Sequence, residues 1–288
     1  VSDFRTDRDR DGRLVVFDGR GASNARAHEG RIWLVGAGPG DPELLTLKAA
    51  RVLAGAEVLI HDRLIPDAIL DLAPPTARRI FVGKRKAHHS VPQDEINGLL
   101  VALALEGFEV VRLKGGDPFI FGRGGEELAA ARAAGVPCEV VPGVSAGIAA
   151  SASTGAPLTH RGLAQAVTFV TGHAAPDGGE GWSEPVLDWA ALARPNHTVV
   201  VYMGVSTAAV IARRLTEAGR APQTPALIVE NASRPDERRL LTTIAGLAEA
   251  AGEIHGPAVL IVGEIAALAD IEGVVDRAAL EVPDWKRA

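Results

Sequence analysis

From Ile32 onward, short apolar runs alternate with longer segments carrying one apolar face, and polar glycine-rich turns separate them. Ile32–Val35 reads as a strand that ends in Gly36-Ala-Gly-Pro-Gly-Asp41. Asp41 suits a helix N-cap and Pro42 a first helical turn, while Leu44, Leu45, Leu47 and Leu53 give an apolar face before Gly55, so one helix is predicted here. Glu57–Ile60 is the next strand. Pro92–Glu106 reads as a helix closed by Gly107, Glu109–Leu113 as a strand, Gly125–Ala134 as a helix closed by Gly135, and Glu139–Val141 as a strand. This β-α alternation predicts a parallel sheet with helices on its faces. The second half has more β-character, with strands at Val167–Val170, Thr198–Tyr202, Ala226–Val229, Arg239–Thr242 and Ala258–Val262 and helices over 145–153, 206–218 and 244–251.

Residues 1–30 form a charged tail whose run Leu14 to Phe17 could add an edge strand. The domain boundary is expected near Pro142–Gly147, giving domains over 31–143 and 144–270 and a second tail over 271–288. In the first half, GAGPGD, HDR, GGDP and PGVS each follow a strand. Ligands of open parallel sheets bind at that carboxyl edge, so four such segments describe a site.

Composition narrows the function. Of 288 residues, 47% are hydrophobic and 23% charged, a globular balance. The 30 Lys and Arg against 36 Asp and Glu leave a net charge of −6, opposite to a chain whose main partner is nucleic acid. No apolar run reaches membrane-span length, and a single cysteine, Cys138, rules out an intrachain disulfide framework and points to the cytoplasm.

Each motif has a plain structural reading beside a functional one. GAGPGD carries Asp41 where a dinucleotide fingerprint needs its third glycine, so it is either a tight turn or a backbone platform for a neutral or cationic ligand. Gly143-Val-Ser-Ala-Gly147 matches a nucleophile elbow, with Asp188 or Asp236 and His255 as conceivable partners; the plain reading is a helix start capped by Ser145. The run Lys84-Arg-Lys-Ala-His-His89, with Arg63, Arg78, Arg79, Arg123 and Arg161 elsewhere, is either solvated surface or a wall for a small polyanion. His88 and His89 lack zinc-site spacing, and no metal is indicated. The most specific stretch is Gly115–Glu127: adjacent glycines admit a ligand to the backbone, Asp117 adds charge, Phe119 and Phe121 add apolar surface, and Arg123 and Glu126 lie three apart at a helix start.

GAGPGDPELLTLKA, VGKRKAHHSVPQDEIN, VRLKGGDPFIFGRGGEE, VPGVSAG and VVYMG resemble the tetrapyrrole (class III) S-adenosylmethionine-dependent methylases, from about Ile32 to Ala269. The VGKR segment is similar to the uroporphyrinogen-III C-methyltransferase branch, in its single-function rather than its fused form. The resemblance implies two α/β domains, the first with a mostly parallel and the second with a mixed sheet, an active site in the cleft between them, and a homodimer. It implies transfer of methyl groups from S-adenosylmethionine to ring carbons 2 and 7 of uroporphyrinogen III, giving precorrin-2 and S-adenosylhomocysteine. Carried over residue by residue, the cofactor contacts are Pro39, Gly115, Gly116, Asp117, Ile120, Ser145, Ala146, Met203, Ala232 and Ala258. The family usually has threonine at Ser145 and glycine at Ala232, so Ala232 must hold a backbone angle open to an L-residue. The resemblance casts Asp62 and Lys84 as base and acid, with Glu126 as another candidate base; Asp62 could instead hold Arg63 or cap a turn, and Lys84 could instead anchor substrate. Arg63, Arg123 and Arg161 are expected to anchor substrate carboxylates. An electron-rich pyrrole carbon attacking a sulfonium methyl requires no metal or protein nucleophile, so catalysis reduces to alignment and removal of a proton. The alternatives are a methylase of a later precorrin, a nucleotide-sensing module without chemistry, and a serine hydrolase.

Overall fold

The computed structural model describes residues 30–83, 91–173 and 184–270, together with two N-terminal strands. Those strands, β1 (Arg5–Arg8) and β2 (Leu14–Phe17), pair antiparallel as a separate two-stranded ribbon, so Leu14 to Phe17 is not an edge strand of a larger sheet. The chain divides into two compact units, Val1–Val144 and Ser145–Ala288.

The first unit is built on β3 (Arg31–Gly36), β4 (Val58–His61), β5 (Arg78–Phe81), β6 (Glu109–Lys114) and β7 (Cys138–Val141). All pair in parallel, in the order β5-β4-β6-β3-β7. Helices cover both faces, so the central strands are apolar almost throughout. Side chains alternate by strand period: Val35, Leu59, Val111 and Leu113 pack with Ala49 and Leu53 of α1 (Leu47–Ala54) and Ile69 of α2 (Asp67–Leu70). Ile32, Leu34, Ile60 and Val110 pack on the other face with Leu100 and Leu103 of α3 (Gln93–Leu105) and Ala131 of α4 (Gly124–Ala133).

One predicted element is divided. Asp41 caps only a short 3-10 turn, Pro42–Leu44, accepting from the Glu43 N–H at 2.9 Å. Leu45 is then extended, and Thr46 starts α1 afresh, its hydroxyl accepting from the Ala49 N–H at 3.1 Å. Two competing caps, Asp41 and Thr46, five residues apart account for the break. The short elements α2 and β5 carry too few apolar positions to be read from the sequence; β5 is an edge strand whose Arg79 faces solvent and reaches Asp71 at 3.2 Å.

The second unit holds β8 (Ala166–Thr171), β9 (His197–Tyr202), β10 (Pro225–Glu230), β11 (Arg238–Thr243) and β12 (Ala258–Val262) in the order β11-β10-β12-β9-β8. Only β8 and β9 are parallel neighbours; the other pairs are antiparallel, which makes the sheet mixed. The helices are α5 (Ala146–Thr154), α6 (Trp189–Leu192), α7 (Ala208–Glu217) and α8 (Leu247–Ala251). Ile211, Leu215 and Leu247 fill one face and Ala150, Ile265 and Ala266 the other. No helix among the described residues is long and apolar enough to cross a membrane.

Candidate functional site

The four polar segments of the first unit share one edge because all its strands run the same way. Adjacent β3 and β6 are where the chain leaves the sheet toward opposite faces, β3 to α1 and β6 to α4, a topological switch point. Their loops are stitched together: the Gly38 N–H donates to the Gly116 carbonyl at 3.2 Å and the Gly116 N–H to the Gly38 carbonyl at 2.7 Å. Gly38 and Gly116 both have φ near +67°, a region that favours glycine. Asp117 ties in the loop after β7, its Oδ2 accepting from the Gly143 N–H at 3.1 Å and its Oδ1 from the Phe119 N–H at 2.8 Å. Pro39, Gly115, Gly116, Asp117 and Ile120 are therefore brought together, with Leu64 lying over Gly115.

Beneath these loops lies a buried polar cluster that the sequence reading missed. Arg112 and Lys114 of β6 share the α3/α4 face with Val110, since they alternate along the strand. Glu127 Oε1 accepts from Arg112 Nε at 3.1 Å, Lys114 Nζ at 2.8 Å and Gln93 Nε2 at 3.2 Å. Arg112 Nη1 donates to the Leu113 and Ile60 carbonyls, and Nη2 faces Asp62 Oδ2 at 3.5 Å. Burial, reinforced by Arg112, pushes the Lys114 ammonium below its ordinary value against the pull of Glu127. The signal was present in the pattern VVRLK, two cations in a strand that should be wholly apolar.

Asp62 follows β4 on the same edge. Its Oδ1 accepts from the Leu64 N–H at 2.9 Å, so it caps the next turn, and its second oxygen pairs with Arg112 rather than with Arg63, which is exposed. His61 beside it stacks edge-on against Phe81, and burial pushes its imidazole below the ordinary value. Arg123 and Glu126 form an exposed bidentate pair at 2.8 and 2.6 Å at the start of α4. Hydrogen bonding to Arg123 holds the Glu126 carboxyl below its ordinary value. Lys84, with the basic run to His89, lies outside the described residues.

In the second unit Met203, Ala232 and Ala258 lie along one sheet edge, as the pairings Val259 with Tyr202 and Glu230 with Ala258 require. The buried Glu230 fastens this edge, accepting from the His255 N–H at 2.8 Å, from the Gly256 N–H, and from Arg238 at 3.1 Å. Burial pushes its carboxyl up, but those three donors outweigh it and hold it below the ordinary range. Ala232 is buried between Asn231 and Ser233, whose φ of +52° and +66° take the left-handed positions, so Ala232 itself needs none. Five of the six non-glycine residues at positive φ among the described residues are Phe121, Arg123, Met203, Asn231 and Ser233, all in stretches marked out by the sequence. Such strain persists where the surroundings over-determine the backbone, and it gathers at ligand sites.

The sequence pattern of the Tetrapyrrole (Corrin/Porphyrin) Methylases matches residues 31–248. The chain belongs to this family. Among its relatives, a uroporphyrinogen-III C-methyltransferase of Paracoccus denitrificans is 48% identical over 268 residues, covering 92% of this chain and 91% of its own length. A siroheme synthase of Tolumonas auensis is 51% identical over 241 residues, 84% of this chain, and this methylase chain spans about half the length of the siroheme synthases it matches. The crystal structure of a Thermus thermophilus uroporphyrin-III C-methyl transferase complexed with S-adenyl homocysteine is 47% identical, with a TM-score of 0.69, over 82% of this chain and 98% of that one.

The hydrolase reading of the GVSAG stretch does not fit this methylase. Ser145 Oγ is buried 2.6 Å from Tyr202 Oη, which also accepts from the Gly147 N–H at 2.9 Å. Asp188 caps α6, Asp236 accepts from Asn231, and the His255 side chain is exposed. Nor does Ser145 cap α5 with its own side chain; the Tyr202 hydroxyl serves the helix start instead. Ala146 begins α5 next to that hydrogen bond. Arg161 is exposed in the His160–Ala164 turn, which leads into the amino end of β8. Met203 follows the carboxyl end of the parallel strand β9, so the structure does not bring Arg161 together with it.

Proposed function

We propose that this methylase transfers methyl groups from S-adenosylmethionine to carbons 2 and 7 of uroporphyrinogen III, releasing precorrin-2 and S-adenosylhomocysteine, within sirohaem or cobalamin-type biosynthesis. The observation that carries the reading is the 48% identity with the Paracoccus enzyme, sustained over 92% of this chain. We further propose that it works in the cytoplasm as a homodimer.

The residues present fit the donor. The assigned loops offer backbone groups beside small side chains, at Gly115, Gly116, Ala232 and Ala258, and an exposed apolar thioether at Met203. A sulfonium cation suits carbonyl-rich turns and the Asp117 carboxylate, and a flat base suits apolar neighbours. Pro39, Gly115, Gly116, Asp117, Ile120, Ser145, Ala146, Met203, Ala232 and Ala258 would hold it. When bound, S-adenosylmethionine supplies an electrophilic methyl group. Asp62 is proposed as the group that takes the proton lost by the methylated ring, since its side chain is partly exposed and its second oxygen faces Arg112. Glu126, already committed to Arg123, is the weaker candidate base. Arg63 and Arg123 are proposed to meet substrate carboxylates, which suit the guanidinium fork; Arg161, at the opposite end of the β8–β9 pair from Met203, is left out of this set. Lys84 is proposed as the acid.

Binding and turnover measured on one variant test the reading. Asp62→Asn is expected to bind S-adenosylhomocysteine like the parent while losing methyl transfer to uroporphyrinogen III. Full transfer by Asp62→Asn would remove Asp62 from the mechanism, and absence of S-adenosylhomocysteine binding by the parent would remove the donor.

A further inference from the structure

The Arg112 cluster sits behind Asp62 and is closed off from solvent on its far side. Glu127 is 1% exposed, and Arg112 and Lys114 are each 4% exposed, whereas Asp62 is half-buried at the edge. Two cations and two carboxylates make the group neutral, with Asp62 its outward member. A guanidinium is planar, so fixing one side of it fixes the direction of the other. Glu127 takes the Nε–H, the Leu113 and Ile60 carbonyls take Nη1, and Nη2 is left facing Asp62. Of the two glutamates that open α4, Glu127 turns inward to Arg112 and Lys114, and Glu126 turns outward to Arg123. All three donors converge on Glu127 Oε1, and the buried Oε2 accepts from nothing among the described residues. An oxygen left so is costly in a low-dielectric interior, which packing alone does not explain.

We propose that Glu127 is a positioning residue for methyl transfer: by anchoring Arg112 it holds the Asp62 carboxylate in the one orientation that receives the substrate proton. The proposal rests on the reading of Asp62 given above. Glu127 touches neither donor nor substrate; its effect passes through the guanidinium. Lys114 supplies Glu127 with a second counter-charge at that depth, 2.8 Å from its Oε1.

The test compares Glu127→Leu, Glu127→Gln and Asp62→Asn by kcat and KM for uroporphyrinogen III and by calorimetric binding of S-adenosylhomocysteine. Glu127→Leu is expected to lower kcat about 10- to 100-fold while KM stays within about threefold and S-adenosylhomocysteine binding within about twofold. Glu127→Gln keeps an oxygen for Arg112 Nε and is expected to recover most of the lost kcat. In an Arg112→Met background, Glu127→Leu is expected to cost less than about twofold more, because the residue it works through is already gone. Should Glu127→Leu fail to fold, Lys114→Met/Glu127→Leu keeps the cluster's charges balanced and is expected to show the same fall in kcat, against Lys114→Met as its control. A kcat within about twofold of the parent for Glu127→Leu or the double variant overturns the proposal, as does an undiminished loss in the Arg112→Met background. If Asp62→Asn keeps its kcat, the proton-acceptor reading fails; if Asp62→Asn is inactive and Glu127→Leu is not, only the positioning role fails.

Discussion

Replacing Gly143 with alanine probes the construction of the carboxyl edge. An added Cβ would lie 2.3 Å from the Gly116 carbonyl oxygen and 2.9 Å from the Gly36 Cα and carbonyl carbon. Ordinary contact begins at 3.4 Å, so the closest approach is short by 3.4 − 2.3, about 1.1 Å. All these atoms are backbone, and they are held by the Gly38–Gly116 bonds and by Asp117 on Gly143. No rotamer change relieves such a clash, so the cost belongs at the upper end of overpacking, about 3 kcal/mol. Gly143 is not among the glycines at positive φ, so a backbone penalty adds nothing. Gly98 is the control: it is exposed within α3, a Cβ there meets nothing within 4 Å, and alanine should stabilise by about 1 kcal/mol. Urea unfolding followed by circular dichroism measures both variants, and calorimetry with S-adenosylhomocysteine reads the displaced Gly115–Asp117 loop. A Gly143→Ala protein within about 0.5 kcal/mol of the parent, binding as tightly, would refute the interlocked-loop argument.

Ser145→Ala removes one hydrogen bond to Tyr202 and should weaken S-adenosylhomocysteine binding by about fivefold, near 1 kcal/mol, with methyl transfer preserved; complete loss of activity would revive a nucleophilic serine. His61 gives a pH signature. Its folded-state pKa lies below the ordinary 6.5, chiefly through burial, so the unfolded chain binds the proton more readily and stability falls as the pH drops below about 6.5. Between about pH 7.5 and about pH 5.5 the parent's urea midpoint should fall further than that of His61→Gln, and equal falls would show that His61 is not the group responsible.

The β-α alternation was legible because helices on both faces of a parallel sheet force long apolar runs between polar turns, and those turns then share one edge. GGDP was marked out because few structural roles need the composition of Gly115–Glu127, whereas GVS was read as a nucleophile elbow or a Ser145 cap and is neither, since Ser145 pairs with Tyr202. The buried cluster was harder to read: its members come from β6, α3, α4 and the turn after β4, and which of two adjacent glutamates turns inward depends on a rotation of about 100° per residue fixed only by packing. Glu126 was read as a second candidate base beside Asp62 and Glu127 was passed over, although it is Glu127 that reaches Arg112 and Lys114. The break at Thr46 was hidden by a good cap just upstream, and the Ser145–Tyr202 bond joins residues 57 apart, beyond any local pattern.

The most direct test of the proposed activity is anaerobic incubation of the protein with uroporphyrinogen III and methyl-labelled S-adenosylmethionine, followed by mass analysis of the tetrapyrrole. The account predicts a product carrying two labelled methyl groups, on carbons 2 and 7, with an equivalent release of S-adenosylhomocysteine. An unmethylated tetrapyrrole recovered from a protein that binds S-adenosylhomocysteine would contradict the substrate assignment and direct attention to later precorrins.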